Sequence, residues 1–350
     1  MRLLRWTYIQ LRKEYTDYKG EKGTVWKLLR SLYGLRQAPR LFWLGMKAAL
    51  EGSGFKSSDH DPCLFVRMES DSSFTYVGTH VDDLAVFSNS IARNKSVRDD
   101  LLAKYAGVKW EDKAETFVGL AIGYGADGSI TLSQPAYAKH ILEVLGVCAD
   151  GVTLSPLGGA HLSKGLSTGE LDLSLVPWLR LAVGMTQFLT FTRLELVLAL
   201  NLVAKNMHKP TLKVKEAMLQ ILAYVANRPS DGLTYAREGA IELSAWCDAS
   251  WQSEPGNMSR TGFALALGPA SAMLQVFSKT QDFGALSSQH SEIISMTEAV
   301  RSVYHLRMLL QDLGYAQGTP TSLWEDNVGC IAFANGSCPL EKTKHITNRD

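Results

Sequence analysis

The sequence predicts an α+β / α/β protein of more than one domain, and three observations lead there. Short β-rich runs flank two adjacent aspartates in the N-terminal part, a helical stretch fills the middle, and the last hundred residues order themselves as three strands, a helix, a strand and a helix. A chain of 350 residues is long enough for two or three separate cores. Its 46% hydrophobic and 20% charged content is that of an ordinary soluble globular protein and excludes a chain disordered throughout.

Three blocks follow in order: residues 1–145, 146–238 and 239–350. The net charge of +1 carries no global sign of a nucleic-acid binder, but residues 1–40 hold ten Lys or Arg against three acids. These bases are interleaved with Trp6, Tyr8, Tyr15, Tyr18 and Trp26, a mixture that grips phosphates and stacks bases. A solvated basic surface fits the same residues. A helix pattern comes next, near Leu41 to Leu50, then a hairpin with Phe74 to Val81 on one arm and Leu84 to Phe87 on the other. The block closes with Phe117-Val118-Gly119-Leu120 and a turn at Asp127-Gly128.

The second block is helical after a Gly- and Ser-containing linker, Ser155 to Gly169. Its last helix is expected from about Lys213 to Ala226, with Met218, Leu222 and Val225 at helical spacing and Pro229 and Gly232 ending it. In the third block strands are expected at Ile241–Trp251, Gly262–Leu267 and Met273–Phe277. A long helix, Ser288 to Leu313, buries a stripe of Ile293, Met296, Val300, Val303, Leu306 and Leu310, and a fourth strand covers Thr321 to Glu325.

Five cysteines (63, 148, 247, 330, 338) are scattered without zinc-ligand spacing, which points to a reduced intracellular protein with structural thiols. The start Met1-Arg2-Leu3-Leu4-Arg5-Trp6 lacks the apolar core of a signal peptide. The strongest apolar stretch, Leu181 to Ala204, is interrupted by Arg193, Glu195 and Asn201, so neither a membrane span nor secretion is expected.

Two sets of carboxylates carry chemistry. Asp82 and Asp83 stand at the hairpin turn, where like charges repel unless a cation is shared, so a divalent ion held by oxygen ligands is one reading and an ordinary Asp-rich turn the other. In the third block Asp248 lies in the first strand, Glu292 early in the helix and Asp326 at the end of the fourth strand. If the first and fourth strands are neighbours and the helix packs across them, the three acids converge at one end of the sheet and suit two divalent ions cutting a phosphodiester in line. Each acid alone also has a plain role in a strand end or helix cap.

The residues resemble the Pol polyproteins of copia-type LTR retrotransposons over nearly the whole chain. Ser31-Leu32-Tyr33-Gly34-Leu35-Arg36-Gln37-Ala38-Pro39-Arg40 is similar to the motif before that family's polymerase hairpin, and Asp61-Pro62-Cys63-Leu64-Phe65 to the element between. His80-Val81-Asp82-Asp83 stands where the family has Tyr-x-Asp-Asp, and Leu132-Ser133-Gln134 with Tyr137 matches the segment closing the palm. Arg180 to Arg193 is similar to the connection helix, and Asp231-Gly232-Leu233 to the lead-in to RNase H. Ala285-Leu286-Ser287-Ser288 with Glu292, Glu325-Asp326-Asn327 and Thr343-Lys344-His345-Ile346 complete the match.

The resemblance implies a reverse transcriptase palm and thumb remnant followed by an RNase H-like mixed-sheet domain, both using Mg²⁺ (Mn²⁺ as the alternative) on RNA/DNA hybrids or template-primer duplexes. Under it Asp82 and Asp83 are polymerase metal ligands, Gly34 lets the backbone approach the nucleotide, and Arg36 and Gln37 lie near template and primer. His80 replaces the hairpin tyrosine beside the nucleotide or primer end. Asp248, Glu292 and Asp326 are RNase H metal ligands.

The expected activity is RNase H-type hydrolysis of RNA in hybrids, with a non-catalytic nucleic-acid-binding remnant as the rival. DNA synthesis by this chain alone is not expected, because the family's third polymerase aspartate belongs on a strand upstream of Thr7-Tyr8-Ile9-Gln10-Leu11. Thr347 stands where the family carries its fourth RNase H carboxylate, and Asp350 lies three residues on. The RNase H fold's last helix is also not expected. Other Pol or Gag chains are the implied protein partners, in cytoplasmic virus-like particles and the nucleus.

Overall fold

The computed structural model describes residues 8–10, 25–27, 34–105, 108–148, 154–158, 165–237, 239–268 and 272–337. The side chains of the basic, aromatic N-terminal segment, Ser31 to Tyr33, Cys338 and the Thr343–Asp350 stretch with Thr347 lie outside the described residues. The chain divides into two compact units, Met1–Trp110 and Glu111–Asp350.

In the first unit β1 (Tyr8–Gln10) and β2 (Val25–Lys27) form an antiparallel pair. Helix α1 (Ala38–Gly52) starts with Pro39 in its first turn, where the missing N–H costs nothing and the fixed φ suits a helix. Strands β3 (Lys56–Ser57), β4 (Leu64–Met68), β5 (Phe74–His80) and β6 (Asp83–Ser88) then build an antiparallel sheet in chain order, and α2 (Ile91–Lys104) follows. Met46 and Leu50 of α1, Phe65 and Val77 of the sheet, and Val97 and Leu101 of α2 meet in one core with Phe55. Alternation along β5 explains this: Thr75, Val77 and Thr79 are buried while the residues between are not.

The second unit begins with β7 (Thr116–Phe117), β8 (Leu120–Tyr124) and β9 (Ile130–Ser133), then α3 (Pro135–Leu145). The apolar run Phe117–Leu120 is not one strand. Val118 and Gly119 both take positive φ (50° and 77°) and fold it into a two-residue hairpin of the type I′ kind. Helices α4 (Val176–Leu189), α5 (Val197–Asn206) and α6 (Leu212–Asn227) pack with α3 around Ile141, Leu179, Leu200, Met218 and Leu222. After α6 the chain returns as β10 (Gly232–Tyr235), which pairs with β9 from about a hundred residues earlier.

The last sheet has the order β13-β12-β11-β14, built from β11 (Leu243–Glu254), β12 (Met258–Leu267), β13 (Met273–Thr280) and β14 (Ser322–Trp324). β11 is antiparallel to β12 and parallel to β14. The crossover between β13 and β14 is α7 (Ser288–Asp312), whose N-terminus is capped by the Ser287 hydroxyl accepting the His290 N–H. Helix α8 (Val328–Ala334) follows β14, with the Asn327 side chain accepting the Cys330 N–H.

Helix α7 lies on β11 and β12, against the face that carries Ala245, Cys247, Phe263 and Leu265. The expected stripe needs one correction here: Val300 is 50% exposed, and Ala299, fully buried, takes the central contact. A methyl side chain at that point lets the helix backbone come close to the sheet, while the branched residue beside it turns to solvent.

Candidate metal centre

The parallel pairing of β11 with β14 places Asp248 on one strand beside the chain end of the other, where Asp326 stands two residues past the last strand residue, Trp324. Glu292 enters from the second turn of α7. Ligating oxygens of Asp248, Glu292 and Asp326 all lie within 4.8 Å of one another. These are the three acids that the strand, helix and strand order singled out, although the helix covers β11 and β12 rather than β11 and β14.

Asp248 and Asp326 are exposed and Glu292 is only 4% exposed, so two carboxylates face outward over a third that is buried. Burial first, then the negative charges of Glu325 and Asp248, raise the Glu292 carboxyl to about 8 against the opposing backbone N–H of Ala249. Its Oε2 is buried without a hydrogen-bond partner. A buried, orphaned carboxylate oxygen beside two more carboxylates is costly unless a cation completes it, and an all-oxygen donor set suits a hard ion such as Mg²⁺.

Three further residues build the site, and none was a candidate site residue in the sequence. The Ser295 hydroxyl, fully buried one turn beyond Glu292, lies 2.7 Å from the Asp248 carbonyl oxygen and 3.0 Å from that of Gly262, fixing α7 to both central strands. Cys247 donates its thiol to Glu325 Oε2 at 3.1 Å, and Glu325 Oε1 accepts the Asn327 N–H at 3.1 Å. Burial, then the bond and charge of Glu325, push the Cys247 thiol well above the ordinary thiol range, and burial does the same for Cys330. Both thiols are therefore protonated structural groups. The sequence signal was position: Cys247 and Glu325 each precede a cluster aspartate, and Glu325 opens the Glu325-Asp326-Asn327 run.

The other pair is arranged differently. The hairpin turn consists of Val81 and Asp82; Asp83 is already the first residue of β6, opposite His80, so only one of the two aspartates is in the turn itself. Both are exposed, and among the described residues no third His, Cys, Asp or Glu joins them in a cluster of metal-binding size. Val81 has φ 53°, as the first position of a type II′ turn requires, and a β-branched residue is strained there. Val81→Gly is expected to stabilise the protein by roughly 0.5–1 kcal/mol, the released strain less the added freedom of the unfolded chain. Urea unfolding checks this; an unchanged or lower midpoint would mean that Val81 stores no strain. Gly34 (φ 91°), Arg36 and Gln37 form the turn that leads into α1, with Gln37 at the N-cap and Arg36 exposed.

Residues 11–157 match the family described as reverse transcriptase (RNA-dependent DNA polymerase). Among curated relatives, the retrovirus-related Pol polyprotein from transposon RE1 of Arabidopsis thaliana is 29% identical over 330 residues, 94% of this chain and 22% of that protein. The corresponding polyprotein from transposon TNT 1-94 of Nicotiana tabacum is 26% identical across 95% of this chain and 25% of its own length. A putative transposon Ty5-1 protein of Saccharomyces cerevisiae is 26% identical, with 80% of this chain and 90% of that protein covered. The chain spans about a fifth to a quarter of the length of the polyproteins it matches. With a reverse transcriptase match over its N-terminal part and transposon Pol relatives along most of its length, the chain belongs to the Pol polyproteins of copia-type retrotransposons.

Proposed function

We propose that the C-terminal part of this Pol chain hydrolyses the RNA strand of RNA/DNA hybrids by an RNase H-type, two-metal reaction, beside a reverse transcriptase part that handles template and primer. The observation that carries this is the convergence of Asp248, Glu292 and Asp326, with Oε2 of Glu292 buried and unpartnered. These three residues would hold Mg²⁺, or Mn²⁺ in its place. Bound there, the ions supply the positive charge that activates water and steadies the leaving 3′ oxygen. Glu292 accepts the Ala249 N–H, and the Ser295 hydroxyl ties its helix to the strand that carries Asp248, which supports its place in the cluster. Asp248 and Asp326 face outward, where a hybrid's phosphates can reach them.

In the N-terminal part Asp82 and Asp83 are read as polymerase carboxylates, with Gly34, Arg36, Gln37 and His80 on the nucleotide and template-primer side. Other Pol or Gag chains are the proposed partners, in cytoplasmic virus-like particles and the nucleus.

The test is a labelled RNA/DNA hybrid incubated with the chain and Mg²⁺ or Mn²⁺, beside an Asp248→Asn, Glu292→Gln double variant. Cleavage of the RNA strand by the unsubstituted chain alone is expected. Salt-sensitive hybrid binding without cleavage in either metal would overturn the catalytic reading and leave a nucleic-acid-binding remnant.

A further inference from the structure

The two aspartates of the cluster sit on different strands, and β11 and β14 are paired over only three residues, Ser244 to Trp246 against Ser322 to Trp324. That register ends before Asp248 and Asp326 are reached, so the strand ladder does not by itself set their separation. A side-chain bridge takes over at this point. The thiol of Cys247, on β11, donates to Glu325 Oε2, and Glu325 Oε1 accepts the N–H of Asn327, folding the chain around Asp326. Asn327 in turn caps α8 through the Cys330 N–H at 2.9 Å. Cys247 and Glu325 alternate with the aspartates that follow them, so the bridge lies on the helix side of the sheet while the chain on either side of it delivers Asp248 and Asp326.

We propose that the Cys247–Glu325 hydrogen bond is a positioning tie that sets the spacing of Asp248 and Asp326 for divalent-ion binding; this rests on the metal-centre reading given above. Neither residue is placed as a ligand. Their role is to hold ligand-bearing strand ends in register where the backbone ladder has stopped, as outer partners do at other metal sites. Substitution at Cys247 tests this without changing the charge of the site. Cys247→Ala removes the donor; Cys247→Ser restores one.

The full chain and both variants are titrated with Mn²⁺ by calorimetry, and their metal-free thermal unfolding is recorded alongside. The alanine variant is expected to bind Mn²⁺ about tenfold more weakly, and the serine variant to return close to the unsubstituted affinity. If alanine leaves the protein unfolded, Cys247→Val, which fills the space without a donor, takes its place with the same expectation. Mn²⁺ binding by the alanine or valine variant as tight as by the unsubstituted chain overturns the positioning role and leaves the metal centre standing. Failure of the unsubstituted chain to bind Mn²⁺ overturns both.

Discussion

Replacing Glu292 by glutamine is expected to abolish divalent-ion-dependent cleavage and, in the same protein, to stabilise the metal-free fold at neutral and alkaline pH. Burial and the surrounding acids raise this carboxyl from 4.5 to about 8. The folded chain therefore keeps a proton between those values that the unfolded chain has released. Stability from this group is fully present below about pH 4.5 and is lost progressively as pH rises to about 8, a change on the order of a few kcal/mol. Glutamine stays neutral throughout, so the slope should vanish in Glu292→Gln. Urea unfolding of chelator-treated protein across that range is the measurement, and parallel pH profiles for the two proteins would sink the assignment. Metal binding by the unsubstituted chain near pH 7 should release a proton, visible as a buffer-dependent heat, because the ion requires the ionised carboxylate.

Arg260→Ala should lower stability by about 3 kcal/mol, the cost of taking one of two cations from a buried carboxylate. Glu254, at the end of β11, is 1% exposed; it accepts from Arg260 Nε at 2.5 Å and from Lys205 Nζ of α5 at 2.6 Å. Burial alone would raise its carboxyl, but the two cations more than offset that and hold it below its usual value. Arg260 also donates to Asn201 of α5 and to Ser278 of β13, so one guanidinium joins the helical layer to the sheet. Because the Glu254 carboxyl is held low, its contribution is present above the usual carboxylate value and is lost as pH falls through the lowered one. Thermal unfolding at pH 7 should show a fall on the order of 10 °C for the alanine variant. A midpoint within a degree of the unsubstituted protein would show that the network contributes nothing net.

The structure turns Ala245, Cys247 and Ala249 of β11 inward and Trp246, Asp248 and Ser250 outward, while a strand over Ile241–Trp251 and the helix that crosses to β14 were legible in the sequence. That legibility is why Asp248, Glu292 and Asp326 stood out together: each occupies a different element whose order already implied a mixed sheet. The choice of Ala299 over Val300 for the helix contact was not legible, since both fit the apolar stripe and only the closeness of the backbones separates them. The pairing of Lys205 with Glu254 was not legible either, since residues 49 apart give no local sign of it. Ser295 was equally silent, a small polar residue on a helix whose two acceptors lie on β11 and β12.

The parallel pairing of β11 with β14 has a consequence for the order of folding. Antiparallel β11, β12 and β13 are joined by short connections and need little loop closure, whereas β14 reaches β11 only after the chain has passed through the whole of α7. Asp326 arrives with that last strand, so a partly folded sheet carries Asp248 without its counterpart. Ion-binding competence therefore reports completion: during refolding it should emerge with the slowest phase, after most of the strand and helix signal has already returned.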